Sequence, residues 1–242
     1  MKIIKKLTCI LIVLLSLSTL YAQRTQGKII YKGSMNMPFD VKKSNASTLG
    51  SINDIMSKKN DVEFELLFSQ KEALYKLKSV LDTEDFKLKI AQIMLGGNNI
   101  HYTNTKTNES FYQIDVYGES FIVIRNKIDW ILSKETKKIG KYVCLKATTY
   151  KIVENSKGVF KHNVIAWYTN EIPVNFGPNG HYGLPGLILE LQEQNNNFVA
   201  IKIDFNLESN LKIKKPKKGK VVSQKEFDEI GEQMSLSRGR QN

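Results

Sequence analysis

Apolar and polar residues alternate with a period of two along most of this chain, the signature of strands that cover one face. Val62, Phe64, Leu66 and Phe68 alternate with Glu63 and Glu65. After a turn at 69–72, Ala73, Tyr75 and Leu77 alternate with Lys76 and Lys78, which predicts a hairpin. A short strand at 28–32 (KIIYK) precedes it. Further strands are predicted at 100–103, 110–117, 120–125, 130–133, 142–153, 159–169, 187–192 and 198–205. In the last of these, Val199, Ile201, Ile203 and Phe205 share one face, with Lys202 and Asp204 on the other. Two or three helices interrupt the series. Residues 47–59 form a polar, weakly periodic one. Over 82–95, Asp82 is the expected cap, Phe86, Ile90, Ile93 and Met94 follow helical spacing, and Gly96-Gly97 ends the run. Near the end of the chain Ser223 and Glu226 make a capping box, and Val222 with Phe227 supplies the matching hydrophobic staple. About ten short strands in succession imply antiparallel pairing. The expected fold is therefore α+β and predominantly antiparallel β, a strongly curved sheet or open barrel with two or three covering helices.

The first 22 residues break this pattern. Lys2, Lys5 and Lys6 precede an apolar run from Leu7 to Leu20 that ends in Tyr21-Ala22-Gln23, the layout of a cleaved signal peptide. The run is shorter than the roughly 20 apolar residues a membrane span needs. Cutting after Ala22 takes 22 residues and three lysines from the chain of 242. What remains is 220 residues with 33 basic and 24 acidic side chains, a net charge of +9. Only Cys144 is left, so no internal disulfide is expected. The expected organisation is a signal peptide over 1–22, a β-rich domain over 23–206, and a basic linker with a short helix and tail over 207–242. The expected location is the periplasm or outer cell envelope.

The segment from Ala166 to Leu191 reads AWYTNEIPVNFGPNGHYGLPGLILEL. Leu184-Pro185-Gly186-Leu187 suits a type II turn, with Pro presetting the first central position and Gly supplying positive φ at the second. Leu187, Leu189 and Leu191 would then point to one face. One reading makes this a rigid corner that fixes strand register. The other makes it the rim of a cavity or docking site lined by Trp167, Tyr168, Glu171, Phe176, His181 and Tyr182. A phosphate-cradling loop is excluded, because no Gly-Lys-Ser/Thr follows and a strand comes next.

These residues resemble the GLPGLI family, named for the hexapeptide that stands here as Gly183-Leu184-Pro185-Gly186-Leu187-Ile188. The similarity extends to Trp130 and to Gly140-Lys141-Tyr142-Val143-Cys144-Leu145-Lys146-Ala147, which has one extra residue between glycine and tyrosine. It continues through Ala166-Trp167-Tyr168-Thr169, Glu171-Ile172-Pro173 and Gly177-Pro178, and the lysine-rich stretch 212–220 resembles the family's ending. Residues 41–60 lie outside the match. The resemblance implies an exported protein of Bacteroidota type, in a family whose biochemical role is not established and whose members are associated with outer-membrane receptor systems.

Candidate chemistry is sparse. His101, His162 and His181 share no metal-ligand spacing, and no HExxH, CxxC or GxSxG occurs, so neither a metal nor a cofactor is expected. Each histidine is expected in a surface or loop position. Cys144, flanked by Val143 and Leu145, reads as a buried inert thiol. Glu171 and Glu190 flank the motif, and Glu190 is expected in solvent on the face opposite Leu189 and Leu191. Lys212, Lys214, Lys215, Lys217, Lys218 and Lys220 form a basic patch that suits anionic lipid or lipopolysaccharide, or a solvated linker, and carries no nucleic-acid motif. Three functions remain open. The first is a noncatalytic binding or carrier protein for a small apolar or amphipathic ligand or peptide. The second is an accessory protein docking on an outer-membrane receptor or transporter, and the third a hydrolase.

Overall fold

The computed structural model describes residues 26–35, 62–78, 85–155, 158–207 and 211–239. The expected signal peptide and the helix predicted over 47–59 lie outside the described residues. The elements run β1 (Gly27–Met35), β2 (Glu63–Phe68), β3 (Glu72–Leu77), α1 (Phe86–Met94), β4 (Ile100–Asn104), β5 (Glu109–Val116) and β6 (Glu119–Ile124). They continue with β7 (Ile131–Ile139), β8 (Tyr142–Asn155), β9 (Gly158–Thr169), a 3-10 turn at Pro178–Gly180, β10 (Leu187–Glu193), β11 (Asn196–Asp204), β12 (Lys220–Ser223) and α2 (Gln224–Gly239).

All the strands join one 12-stranded sheet in the order β12-β6-β5-β4-β3-β2-β1-β11-β10-β9-β8-β7. Every pair is antiparallel except β12 with β6. The sheet is open, with β12 and β7 at its ends. Two meanders meet at its centre: β1 pairs with β2 on one side and with β11 on the other.

The alternation read from the sequence holds in β2, whereas in β3 Leu74 is buried as well, on the other face. Val62, Phe64, Leu66 and Phe68 are all buried, and Leu66 and Tyr75 are cross-strand partners. That row continues through His101, Tyr112 and Val123 to Val222. In β11 the expected stripe fails. The β1–β11 register slips by one residue, leaving Ile201 as a bulge and half exposed, 51%. Phe198 and Ala200 pack on the core before the bulge, Ile203 and Phe205 after it. An inserted residue inverts the period-two pattern, which the sequence does not signal.

Helix α1 is capped by Asp85, whose carboxylate accepts the N–H groups of Lys87 and Leu88 at 3.0 and 3.2 Å. The expected cap, Asp82, lies outside the described residues. The helix faces the opposite way from its apolar stripe: Ala91 and Leu95 are buried, whereas Phe86 is 71% and Ile93 56% exposed. Gly33 leaves room for this face: a Cβ there would fall 2.9 Å from the Phe64 ring and 3.2 Å from the Leu95 side chain.

The C-terminal part is more tightly joined to the sheet than a linker and tail. Ile213 packs against Leu74, Tyr102, Phe111 and Ile122 on one sheet face. Lys215 pairs with Glu109 at 2.5 Å and lies over the Tyr102 and Phe111 rings, while Lys218 sits 3.9 Å from Asp115. β12 then adds to the edge, and α2 returns over the other face, with Phe227 edge-on to Phe121 and Tyr112. The expected capping box is present and reciprocal: Ser223 N–H donates to Glu226 at 2.7 Å, and Glu226 N–H to the Ser223 hydroxyl at 3.2 Å. Replacing Ser223 with alanine is expected to cost about 1 kcal/mol, read as a lower urea midpoint.

Candidate functional site

The stretch between β9 and β10 is a plug. Ile172, Val174, Phe176 and Leu184 are buried in the main core with Leu187, Ile188, Leu189 and Leu191. Phe176 and Tyr182 form an isolated antiparallel bridge that closes the segment around the Pro178–Gly180 turn. Gly183 N–H donates to Asn175 O, His181 N–H to Pro178 O and Ile188 N–H to Phe176 O, each at 3.0 Å. The surrounding sheet holds it as well: the buried Tyr31 hydroxyl donates to Ile188 O at 2.6 Å, and the Trp130 indole N–H to Tyr182 O at 2.9 Å.

The expected type II turn is not formed. Leu187 N–H bonds to Ile172 O rather than to Leu184 O, and the positive φ falls on Gly183 (94°), not on Gly186. Gly186 is required for space instead, since a Cβ there would lie 2.0 Å from the carbonyl oxygen of Thr169. Gly177 is required likewise: its Cβ would meet Ile188 at 2.6 Å. The expected one-face row of Leu187, Leu189 and Leu191 is also revised. The β9–β10 register slips between Ile188 and Glu190, and Ile188 joins the three leucines in the core.

Polar groups gather at the tip of the plug. Asn179, at φ 54°, donates from Nδ2 to Glu193 at 2.6 Å, and its carbonyl accepts Nη1 of Arg125 at 2.7 Å. Glu193 also pairs with Lys151 at 2.8 Å. His181 is 5% exposed, with Nδ1 3.3 Å from Pro178 O, and its ring lies 6.0 Å from that of Trp130. His101, also 5% exposed, packs between Tyr75 and Tyr112. His101, buried in β4, therefore corrects the expectation of a surface or loop position, whereas His181 lies in the loop as expected but is buried there. Burial, followed by the nearby charges, sets the titrations. It holds His181 down at about 4, with Arg125 and Lys151 adding to the effect against Glu193. His101 is lowered by burial and then by Arg125 and His181. Burial alone would raise Glu193, but His181, Lys151 and Arg125 pull it down to about 2. At neutral pH the cluster is two uncharged imidazoles beside a carboxylate held by two cations.

The other expected site residues do not converge here. Tyr168 is buried in the core. Trp167, one residue along β9, takes the opposite face in register with Lys146 and Glu190, and Lys137 lies 5.4 Å from its ring centroid. Glu190 is buried at 5% rather than in solvent, because Lys137 pairs with it at 2.5 Å and Gln192 donates to it at 2.9 Å. Glu171 is exposed and accepts the Val143 N–H at 3.1 Å. Pro178 is buried with the plug, whereas Pro185 is exposed. Of the basic patch, Lys215 and Lys218 face carboxylates, and Lys212, Lys214, Lys217 and Lys220 are exposed. Sequence reasoning missed Tyr75, Arg125, Lys151, Asn179 and Glu193. They come from four strands or strand ends and one loop, far apart in the chain.

Chemically, the arrangement ties segments together. Its carboxylate is neutralised, its imidazoles are buried, and among the described residues no group of three His, Cys, Asp or Glu is placed to hold a metal ion. Cys144 is fully buried and its thiol is pushed up to about 11, first by burial and then by Glu171 and Glu190. Native protein should therefore resist a thiol reagent such as DTNB at pH 8, and react at the rate of a free thiol only once unfolded.

No helix among the described residues is long and apolar enough to cross a membrane. No curated protein matches the sequence. Two solved structures of PNGF-II, in space groups C2 and P21, are similar over 85% of this chain, at 17% and 15% identity and TM-scores of 0.49. This chain covers 32% and 33% of them, about a third of their length. A family model described as a protein of unknown function (Porph_ging) matches residues 154–190, the stretch that holds β9, the plug and the start of β10.

Proposed function

We propose that this chain is an exported, noncatalytic docking protein of the GLPGLI type, acting as an accessory to a larger envelope protein through its outer surface. The observation that carries the reading is the plug. The core face beneath Trp167–Ile188, where a carried ligand would sit, is occupied by Ile172, Val174, Phe176 and Leu184. Apolar side chains are instead offered outward on β7–β9, where Ile131 is 61%, Ile152 67% and Val159 68% exposed, with Tyr150 beside them. Among the described residues the β8–β9 hairpin beyond Val164 has no strand partner on either side, so Tyr150–Glu154 and Val159–Asn163 form a two-stranded ribbon. Exposed apolar patches of this kind mark interaction sites.

A photo-crosslinking residue at Ile152, in producing cells, tests this. One protein adduct of fixed mass, absent when the probe is at Lys202, is the expected result. No adduct from Ile152, or the same adducts from both positions, overturns it.

A second reading, carriage of a small amphipathic ligand, draws support from the spacing of the polar cluster. Arg125 follows β6 and Glu193 ends β10, seven strand spacings apart in the sheet order. Across a flat sheet that is about 34 Å, yet both bond to Asn179. We infer that the sheet curls around the plug, so that withdrawing the plug would open an interior. A small molecule retained by the natively purified protein, seen by native mass spectrometry, would favour carriage.

A further inference from the structure

The plug does not seal its seat completely. A cavity of about 10 Å³ lies between the Pro178–Gly180 turn and the sheet, lined by Tyr75, His101, Thr103, Phe176 and His181 among others. Of these, Tyr75 and His101 carry unsatisfied polar atoms: the Tyr75 hydroxyl and both ring nitrogens of His101 have no hydrogen-bond partner among the described residues. Tyr75 is 2% and His101 5% exposed, so bulk solvent does not satisfy them. Native proteins rarely leave three buried polar atoms unpaired together. The space is that of one water molecule, which needs roughly 10–15 Å³ and two or more polar partners. A larger occupant is excluded by volume. A cation is disfavoured by Arg125, whose charge acts on His101 more strongly than the opposing charge of Glu193.

We propose that this cavity is a binding site for a single ordered water molecule, bonded to the Tyr75 hydroxyl and a ring nitrogen of His101. The water bridges β3 and β4 beneath the plug. A neutral imidazole offers one donor and one acceptor, and a water with two of each can meet either, so both tautomers of His101 are served. The site also accounts for Gly180. A Cβ there would fall 2.8 Å from His101 Nδ1 and 2.4 Å from Arg125 Nη1, displacing the imidazole.

A crystal structure of the full chain at about 1.5 Å tests the site directly. One water within about 3 Å of both Tyr75 Oη and a nitrogen of His101 is expected, and a dry, well-ordered cavity overturns the proposal. In solution, oxygen-17 relaxation dispersion counts long-lived internal waters. His101→Phe should lower the amplitude by one molecule, and an unchanged amplitude in a folded variant overturns the assignment. Should that variant fail to fold, the crystal structure of the unsubstituted chain still decides.

Discussion

Replacing Gly186 with alanine is expected to destabilise this protein by at least about 3 kcal/mol, at the severe end for a single added methyl. The added Cβ would lie 2.0 Å from Thr169 O and 2.6 Å from its carbonyl carbon. Those atoms are backbone in β9, where Thr169 pairs with Leu187, so neither side can yield without breaking the ladder that anchors the plug. At roughly 2–4 °C per kcal/mol for a domain of this size, the melting temperature should fall by about 10 °C. The comparison that isolates the cause is Gly183→Ala. Gly183 has φ 94° but nothing within 4 Å of a Cβ, so it carries only a backbone cost, about 1–2 kcal/mol. Equal melting temperatures for the two variants in circular dichroism would show that the close approach to Thr169 is not tight.

The second large effect is on pH. His181 titrates at about 4 in the folded chain against 6.5 in the unfolded chain, and His101 is lowered as well. Between those values the unfolded chain binds more protons, so stability rises with pH. The contribution is complete above pH 6.5 and is lost as pH falls toward 4. For His181 alone the 2.5-unit difference amounts to about 3 kcal/mol. Glu193, lowered to about 2, extends the loss in the same direction below pH 4.5. The urea midpoint should therefore drop steeply from pH 7 to pH 5. In His181→Gln, which cannot titrate, the drop should be shallower. Parallel curves for the two proteins would remove His181 from the acid response.

Part of the sheet is legible in the sequence because a strand such as β2 buries alternate residues. Val62, Phe64, Leu66 and Phe68 announce β2, and Ser223 with Glu226 announces the start of α2. What escapes the sequence is of three physical kinds. Bulges at Ile201 and Leu189 invert the face of every later side chain without changing composition. Lysine-rich edges disguise pairing: β7 runs on to Ile139 through Lys134, Lys137 and Lys138, and β12 emerges from a stretch that reads as solvated linker. The plug also draws its partners from distant places. Arg125 meets Asn179 across 54 positions and Trp130 meets Tyr182 across 52, separations that no local pattern carries. The motif itself is visible, but the fold uses Gly186 for clearance where the sequence suggests torsional freedom.

The place of β1 has a consequence for how the chain is made. Lys28 pairs with Asp204, so the middle of the sheet joins residues some 176 positions apart. A ribosome has released the first strand long before it translates the eleventh. Until then β1 has only its β2 neighbour, and its other backbone edge stays open to pairing with whatever it meets. Such long closure makes for slow folding. Any product cut short of residue 196 would lack that partner entirely, so nascent and truncated chains are the ones most in need of a chaperone.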